Sequence, residues 1–293
     1  MKIVNFGSLN IDHVYQVNRF VEPGETLECS RYQQLVGGKG LNQSLAIARA
    51  GAPVMHVGSI GTDGLLLQKT LADSGVDVSQ LQVQPSEASG HAIIQVDAKG
   101  ENCILYHGGA NQTVSVPAID GALALTRQND IVLIQNEINN VPAIIDKAAA
   151  KNLTIVFNPA PMSTAVLNYP LEKVDYFIVN QSEAQALSQK SDIHDILTTL
   201  SARYPASKFI LTLGAQGAIY QDPLQQIIVP AITTDTVDTT AAGDTFIGYF
   251  VAELSARKAI KQCLETACKA ASLCVQTIGA ANSIPYRREL DIV

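Results

Sequence analysis

Short apolar runs rich in Val, Ile and Phe alternate along this chain with longer segments whose apolar residues recur every three or four positions. The short runs predict strands at 2–7, 54–59, 131–135, 154–158, 176–179 and 208–213. The longer segments predict helices over 39–50, 63–74, 115–127, 140–151, 181–189, 192–203, 241–256 and 258–278. In 241–256 the apolar set Phe246, Ile247, Phe250, Val251 and Leu254 falls on one helical face. Strands alternating with helices of this length are the pattern of βαβ units around a mainly parallel sheet. Two stretches, 12–36 and 89–108, break the alternation with extended patterns and no helix. The second reads as a hairpin, His91–Asp97 and Glu101–His107, joined through Ala98-Lys99-Gly100. With no repeat and no Pro- or Ser-rich linker, the expectation is one α/β domain over 1–293, from which the two insertions project as a small β-sheet.

Composition narrows the class. The chain has 293 residues, of which 47% are hydrophobic and 16% charged, enough to build a core and too apolar for disorder. Its formal net charge of −7, with no Lys/Arg run, argues against nucleic acid and against an anionic membrane surface. The apolar run at the N-terminus is too short for a signal peptide, and no segment approaches a membrane span. Five cysteines without a C-x-x-C spacing suggest neither a disulfide framework nor a zinc site. A cytoplasmic enzyme or binding protein is expected. The five histidines show no metal or triad context and are expected in loops or at the surface.

Candidate chemistry sits where helices begin. Ala241-Ala242-Gly243-Asp244 opens the helix 241–256, and the first N–H groups of a helix have no partners within it. Such a terminus can hold a phosphate without a basic side chain, and Asp244 beside it could take a proton from a hydroxyl. Simple capping by Thr and Asp is the plainer alternative. Gly37-Gly38-Lys39-Gly40-Leu41-Asn42-Gln43 is a second glycine-rich helix entry, carrying donors suited to a polyhydroxylated ligand. It has neither Walker A spacing nor a full G-x-G-x-x-G, and a glycine turn with a solvated lysine would look the same. Asn180 and Glu183 follow a strand at its carboxyl end, where open α/β sheets bind ligands. They could order water around magnesium or merely form a capping pair. Glu137 follows another strand in the same way, and Leu213-Gly214-Ala215-Gln216-Gly217 ends a third.

Taken in order, these motifs resemble the ribokinase family, the PfkB-type sugar kinases, over almost the whole chain. Gly7-Ser8-Leu9-Asn10-Ile11-Asp12 is similar to the family's first-strand motif, and Gly37 through Gln43 to its first signature. Ser89-Gly90-His91-Ala92 through Gly108-Gly109-Ala110-Asn111 resembles part of a β-lid, and Asp238 through Phe246 the second signature. The resemblance implies a ribokinase-like three-layer α/β sandwich with a mainly parallel central sheet and a small β-sheet lid. It implies an ATP-dependent phosphotransferase for the primary hydroxyl of a pentose, D-ribose foremost. The alternatives are 2-deoxyribose, another sugar or a nucleoside as acceptor, or a non-catalytic sugar- or nucleotide-binding regulator. By the same resemblance Asp244 is the catalytic base and Ala241, Ala242 and Gly243 form the anion hole. Asn10, Asp12, Gly38, Lys39, Asn42 and Glu137 would hold the sugar, and Asn180, Thr212, Gly214, Gly217 and Gly243 the nucleotide. Asn180 and Glu183 would act on Mg²⁺ through water. Asp238, Thr240, Cys274, Thr277, Gly279 and Ser283 would bind a monovalent cation, K⁺. Leu41 replaces a small residue of the family pattern, which predicts a reshaped pocket beside the sugar. An exposed lid edge predicts a homodimer formed through the lid.

Overall fold

The computed structural model describes residues 1–291. Its main sheet has nine strands in the order β13-β12-β11-β10-β9-β8-β1-β4-β5. The central parallel run is β8 (Ile131–Gln135), β1 (Ile3–Phe6) and β4 (Val54–Gly61), in which Ile3 pairs with both Val54 and Ile131. Beyond β4 lies β5 (Asp77–Gln84). On the other side come β9 (Thr154–Asn158), β10 (Tyr176–Asn180) and β11 (Lys208–Thr212), also parallel. The antiparallel strands β12 (Ala218–Gln221) and β13 (Gln226–Val229) finish that edge.

Successive strand residues point to opposite faces, so each strand feeds two cores. Ile3, Leu133, Val156, Ile178 and Ile210 pack on α1 (Lys39–Arg49), α2 (Leu65–Asp73), α7 (Ala242–Ser255) and α8 (Ile260–Cys274). Val4, Phe6, Val132, Phe157, Phe177 and Phe209 pack on α3 (Val116–Ala124), α4 (Val141–Ala150), α5 (Gln181–Ser188) and α6 (Ile193–Arg203). A four-residue helix, α9 (Arg287–Leu290), follows the last long one. The result is the expected three-layer sandwich, and no helix among the described residues is long and apolar enough to cross a membrane.

The two irregular stretches form a separate four-stranded sheet. In the order β3 (Arg31–Gly37), β2 (Asn10–Gln16), β6 (Gly90–Val96) and β7 (Asn102–His107), it leaves β3 and β7 as open edges. His91 pairs with His107 and Val96 with Asn102, the hairpin register expected from the sequence. All six residues of β7 are exposed.

Three expectations change. Strands β5, β12 and β13 were not predicted, because DVSQLQVQ is mostly polar and AIYQ and QIIV are only four residues each. His56 is not at the surface: it lies wholly buried in β4, a strand covered on both faces. Leu41 is fully buried in the core beside Leu45 and therefore does not shape a pocket.

Candidate active site

The strand order reverses between β8 and β1, which opens a crevice at their carboxyl ends. The segments leaving both strands meet there at the start of α1. Gly38, at φ 95°, turns the chain from β3 into α1, a conformation that glycine adopts without a Cβ clash. The Lys39 N–H then donates to Glu137 Oε2 at 3.0 Å, and Ser8 Oγ donates to the same oxygen. Glu137 is thereby docked on the positive end of α1.

Asp12 projects from β2, in register with Leu35 on one side and Ala92 on the other. Burial, reinforced by the Glu137 carboxylate, pushes its carboxyl up to about 6. Asn10 Oδ1 accepts from Asn111 Nδ2 at 2.7 Å, while Asn111 Oδ1 accepts the Leu9 N–H at 2.9 Å. Tyr106 is half-exposed as a residue, but its hydroxyl end lies beside Asn10 and Asn111, where desolvation, with Glu137, pushes it up to about 12. Neither Asn111 nor Tyr106 was given a role from the sequence. The alternation of β7 was the available signal for Tyr106, which shares the sheet face of Ala92 and Asp12.

Asp244 sits in the first turn of α7, just after Ala241, whose φ of 60° is left-handed. Asn42 Nδ2 donates to its Oδ2 at 3.0 Å and Gln43 Nε2 to its Oδ1 at 2.8 Å. Burial raises the Asp244 carboxyl despite the opposing Lys39 ammonium and these two donors. For Lys39, burial pulls the ammonium down, but Asp244, Glu137 and Glu183 outweigh it and hold the group above its usual range. Lys39, Asn158, Asn180, Glu183, Thr212 and Asp244 line one cavity of about 170 Å³. Lys39, expected among the sugar contacts, lies among the carboxylates of Asp244, Glu137 and Glu183.

Asn180 caps α5 with a complete capping box, accepting from the Glu183 N–H at 2.9 Å while Glu183 Oε2 accepts the Asn180 N–H at 3.0 Å. The two readings of this pair are therefore compatible, since both residues also face the cavity. At the expected anion hole, the Ala242 N–H donates to the Thr239 carbonyl at 3.2 Å, closing a turn. At Gly243 a Cβ would meet nothing within 4 Å, so a ligand can approach the backbone there.

A second cavity, of about 390 Å³, shares Thr212 and Gly243 with the first. Gly214, Gly217, Thr234, Phe246, Cys268 and Val275 contribute to its wall, a mainly apolar slot suited to a planar ring. The turn after α8 folds back against Asp238. Asp238 Oδ1 accepts from the Thr240 N–H at 2.9 Å and Thr240 Oγ1 at 2.6 Å, and Oδ2 accepts the Gly279 N–H at 2.8 Å. Partial burial opposes, but these donors hold the Asp238 carboxyl below the usual range. Ser283 Oγ lies 3.1 Å from Cys274 Sγ, and the Cys274 carbonyl accepts the exposed Thr277 N–H at 3.2 Å. One carboxylate with backbone and hydroxyl oxygens is a donor set that fits an alkali cation. Among the described residues no group of three His, Cys, Asp or Glu side chains is arranged to hold a metal.

Residues 1–287 match the family described as pfkB family carbohydrate kinase. The chain is 35% identical to a ribokinase of Staphylococcus aureus, covering 100% of this chain and 99% of that one. A solved ribokinase of Arabidopsis thaliana, complexed with ribose and ATP, superposes with a TM-score of 0.90 at 29% identity, over 99% of this chain and 97% of that one. A Cryptococcus neoformans ribokinase in complex with ADP gives a TM-score of 0.89 at 32% identity, over 99% of both chains.

Proposed function

The chain belongs to the pfkB family of carbohydrate kinases, and from that premise we propose that it transfers the γ-phosphoryl group of ATP to the 5-hydroxyl of D-ribose. The observation that carries this reading is the hydrogen bond from Asn42 to Asp244, which joins the two glycine-rich helix entries across 202 residues of sequence. A group suited to sugar hydroxyls is thus held against a carboxylate at a helix terminus suited to phosphate.

The roles follow from position. Asp12 and Glu137, acceptors only when ionised, suit neighbouring sugar hydroxyls, with Asn10, Gly38 and Asn42 around them. Asp244 takes the proton of the attacking hydroxyl, and its raised pKa strengthens it as a base. Phosphoryl transfer needs alignment and charge stabilisation more than covalent help. Gly243 brings the start of α7 to the phosphate, and Lys39, which lines the same cavity, supplies a positive charge beside it. The apolar slot beyond Gly214 and Gly217 takes the adenine. Asn180 and Glu183, an amide and a carboxylate on the cavity wall, fit a hydrated magnesium ion. That ion supplies neutralisation of the phosphate oxygens. Asp238, Thr240 and the turn 274–283 fit K⁺, which would set the backbone that leads into α7.

The lid would close over the sugar and exclude water as a competing acceptor. The chain exposes 13309 Å², against about 12000 Å² for a compact monomer of its mass. Much of the lid is open, with Ile104 52% and Leu105 68% exposed on β7. The two point to opposite faces of the strand, and pairing the open β7 edge with a second subunit's lid would shield that edge, so a homodimer through the lid is part of the proposal. Sedimentation at micromolar concentration tests it, and a monomer would refute it. For the acceptor, a coupled assay with ATP, Mg²⁺ and K⁺ is run across ribose, 2-deoxyribose, hexoses and nucleosides. Ribose is expected to give the highest kcat/KM; equal or better turnover of a nucleoside would overturn the assignment.

A further inference from the structure

Beneath Asp244 a connected chain of buried amides runs into the sheet. Gln43 and Gln135, at the end of β8, have no exposed surface, nor do Asn5 in β1, Ser44 in α1 or His56 in β4. We propose that Gln43, oriented by Gln135, is a positioning residue that fixes the plane of the Asp244 carboxylate toward the reacting hydroxyl. The inference rests on the kinase reading above.

The direction of every bond follows from the two ends of the chain. At one end the Gly40 carbonyl can only accept, so Asn5 presents Nδ2 to it at 2.8 Å and turns Oδ1 toward Gln135. At the other end the ionised Asp244 can only accept, so Gln43 presents Nε2 at 2.8 Å and turns Oε1 toward Gln135. Gln135 thus stands between two oxygens and gives one N–H to each, at 2.9 Å to Asn5 and 2.7 Å to Gln43. Flipping any one amide would set oxygen against oxygen or N–H against N–H. The polarity that reaches Asp244 is therefore fixed from both ends, and the Gly40 carbonyl in the first turn of α1 demands the same orientation of Gln43 as the carboxylate does.

Gln135 is held for this purpose at some cost. Its Oε1 is buried with no partner, and it lies where a Cβ at Gly7 would come within 2.5 Å. The far branch ends independently of the site. Asn5 Nδ2 also donates to Ser44 Oγ at 2.8 Å, so the Ser44 hydroxyl gives its hydrogen to His56 Nδ1, also at 2.8 Å. His56 then carries its proton on Nε2, facing the Gly7 carbonyl at 3.2 Å. Asn42, the second donor to Asp244, is a proposed sugar contact and can be drawn away by substrate. Gln43 makes no such contact, so its hold on the carboxylate does not depend on substrate.

The test measures kcat and KM with ATP and the acceptor the panel identifies. Gln43→Met and Gln135→Met keep approximate volume and remove the donors; each is made alone and in an Asp244→Asn background. Each single variant is expected to lower kcat roughly 10- to 100-fold, the scale of a misplaced reacting group, with KM for the sugar changed less than about threefold. In the Asp244→Asn background the same substitutions should change the residual rate less than about twofold, because the group they position is gone. Ser44→Ala, on the far branch, should lower the melting temperature but leave kcat within about twofold. Full penalties persisting in the Asp244→Asn background, or a kcat loss for Ser44→Ala matching that of Gln43→Met, would overturn the inference in favour of a structural role. Either glutamine variant that folds, as judged by its melting transition, decides the question. A chain with no turnover of any acceptor, or unchanged turnover in Asp244→Asn, would instead fail the functional reading, and the positioning role would fall with it.

Discussion

Replacing Asp12 by Asn should make the protein more stable while it loses its sugar. Burial and the neighbouring Glu137 raise the Asp12 carboxyl from 3.8 to about 6 in the folded chain. A raised pKa means that the folded state disfavours the charge, so ionised Asp12 weakens folding at any pH above about 6. The shift of about 2 units corresponds to roughly 3 kcal/mol. An Asn of the same shape avoids that cost but still buries an amide, which leaves a net gain of about 1–3 kcal/mol at pH 8. As pH falls through 6 toward 3.8 the wild-type carboxyl protonates in the folded state, its handicap disappears, and the gain should shrink to near zero. Urea denaturation of both proteins at pH 8, 6 and 4.5 measures this. Ribose should raise the midpoint of the wild type and not that of the variant. A variant less stable than wild type at pH 8, or a difference independent of pH, would refute the burial argument.

Asp244→Asn should lower kcat by about 10²–10⁴ while sugar affinity, read by calorimetry, stays within a few-fold; unchanged turnover would remove Asp244 as base. Gly40→Ala should destabilise by at least about 2 kcal/mol or prevent folding, since a Cβ there would lie 2.4 Å from the Gly7 backbone; a wild-type melting temperature would contradict the contact. His56 is held neutral, its pKa pushed down to about 4 by burial, so the unfolded chain binds a proton below about 6.5 that the folded chain refuses. Stability should therefore fall with a slope of up to about 1.4 kcal/mol per pH unit between 6.5 and 4. His56→Asn should flatten that part of the profile, whatever it does to stability at pH 8. Replacing K⁺ by Na⁺ should reduce turnover, and Asp238→Asn should abolish the difference between the two ions; indifference of the wild type to the swap would exclude the cation site.

The helices were legible from the spacing of their apolar residues, and the central strands from short unbroken apolar runs. Phe246, Phe250 and Val251 recur at helical spacing in α7, although that helix is buried along most of its length, and the short apolar runs IVLIQ and TIVFN are strands buried at nearly every position. The edge strands were not legible, since β5 carries polar residues at most positions and β12 and β13 are short. The glycine-rich helix entries drew attention to Asn42 and Asp244 because backbone geometry demands particular residues there. Asn111 and Gln135 escaped notice because their significance lies in partners 101 and 92 residues away, which no local pattern encodes. His56 was misplaced for a related reason. A histidine in VMHVGS looks polar until Ser44 and the Gly7 carbonyl are found on either side of its ring.

Three carboxylates, those of Glu137, Asp244 and Glu183, act on the ammonium of Lys39, and a fourth, Asp12, lies beside Glu137. A free sugar carries no charge, so this negative surplus does nothing to oppose its arrival. A sugar phosphate carries about two negative charges at neutral pH and would sit within reach of the same groups. On the proposed reaction, the surplus separates entry from exit. The sugar enters by hydrogen bonding alone, whereas its phosphorylated product faces the carboxylates that had oriented it, which favours its departure.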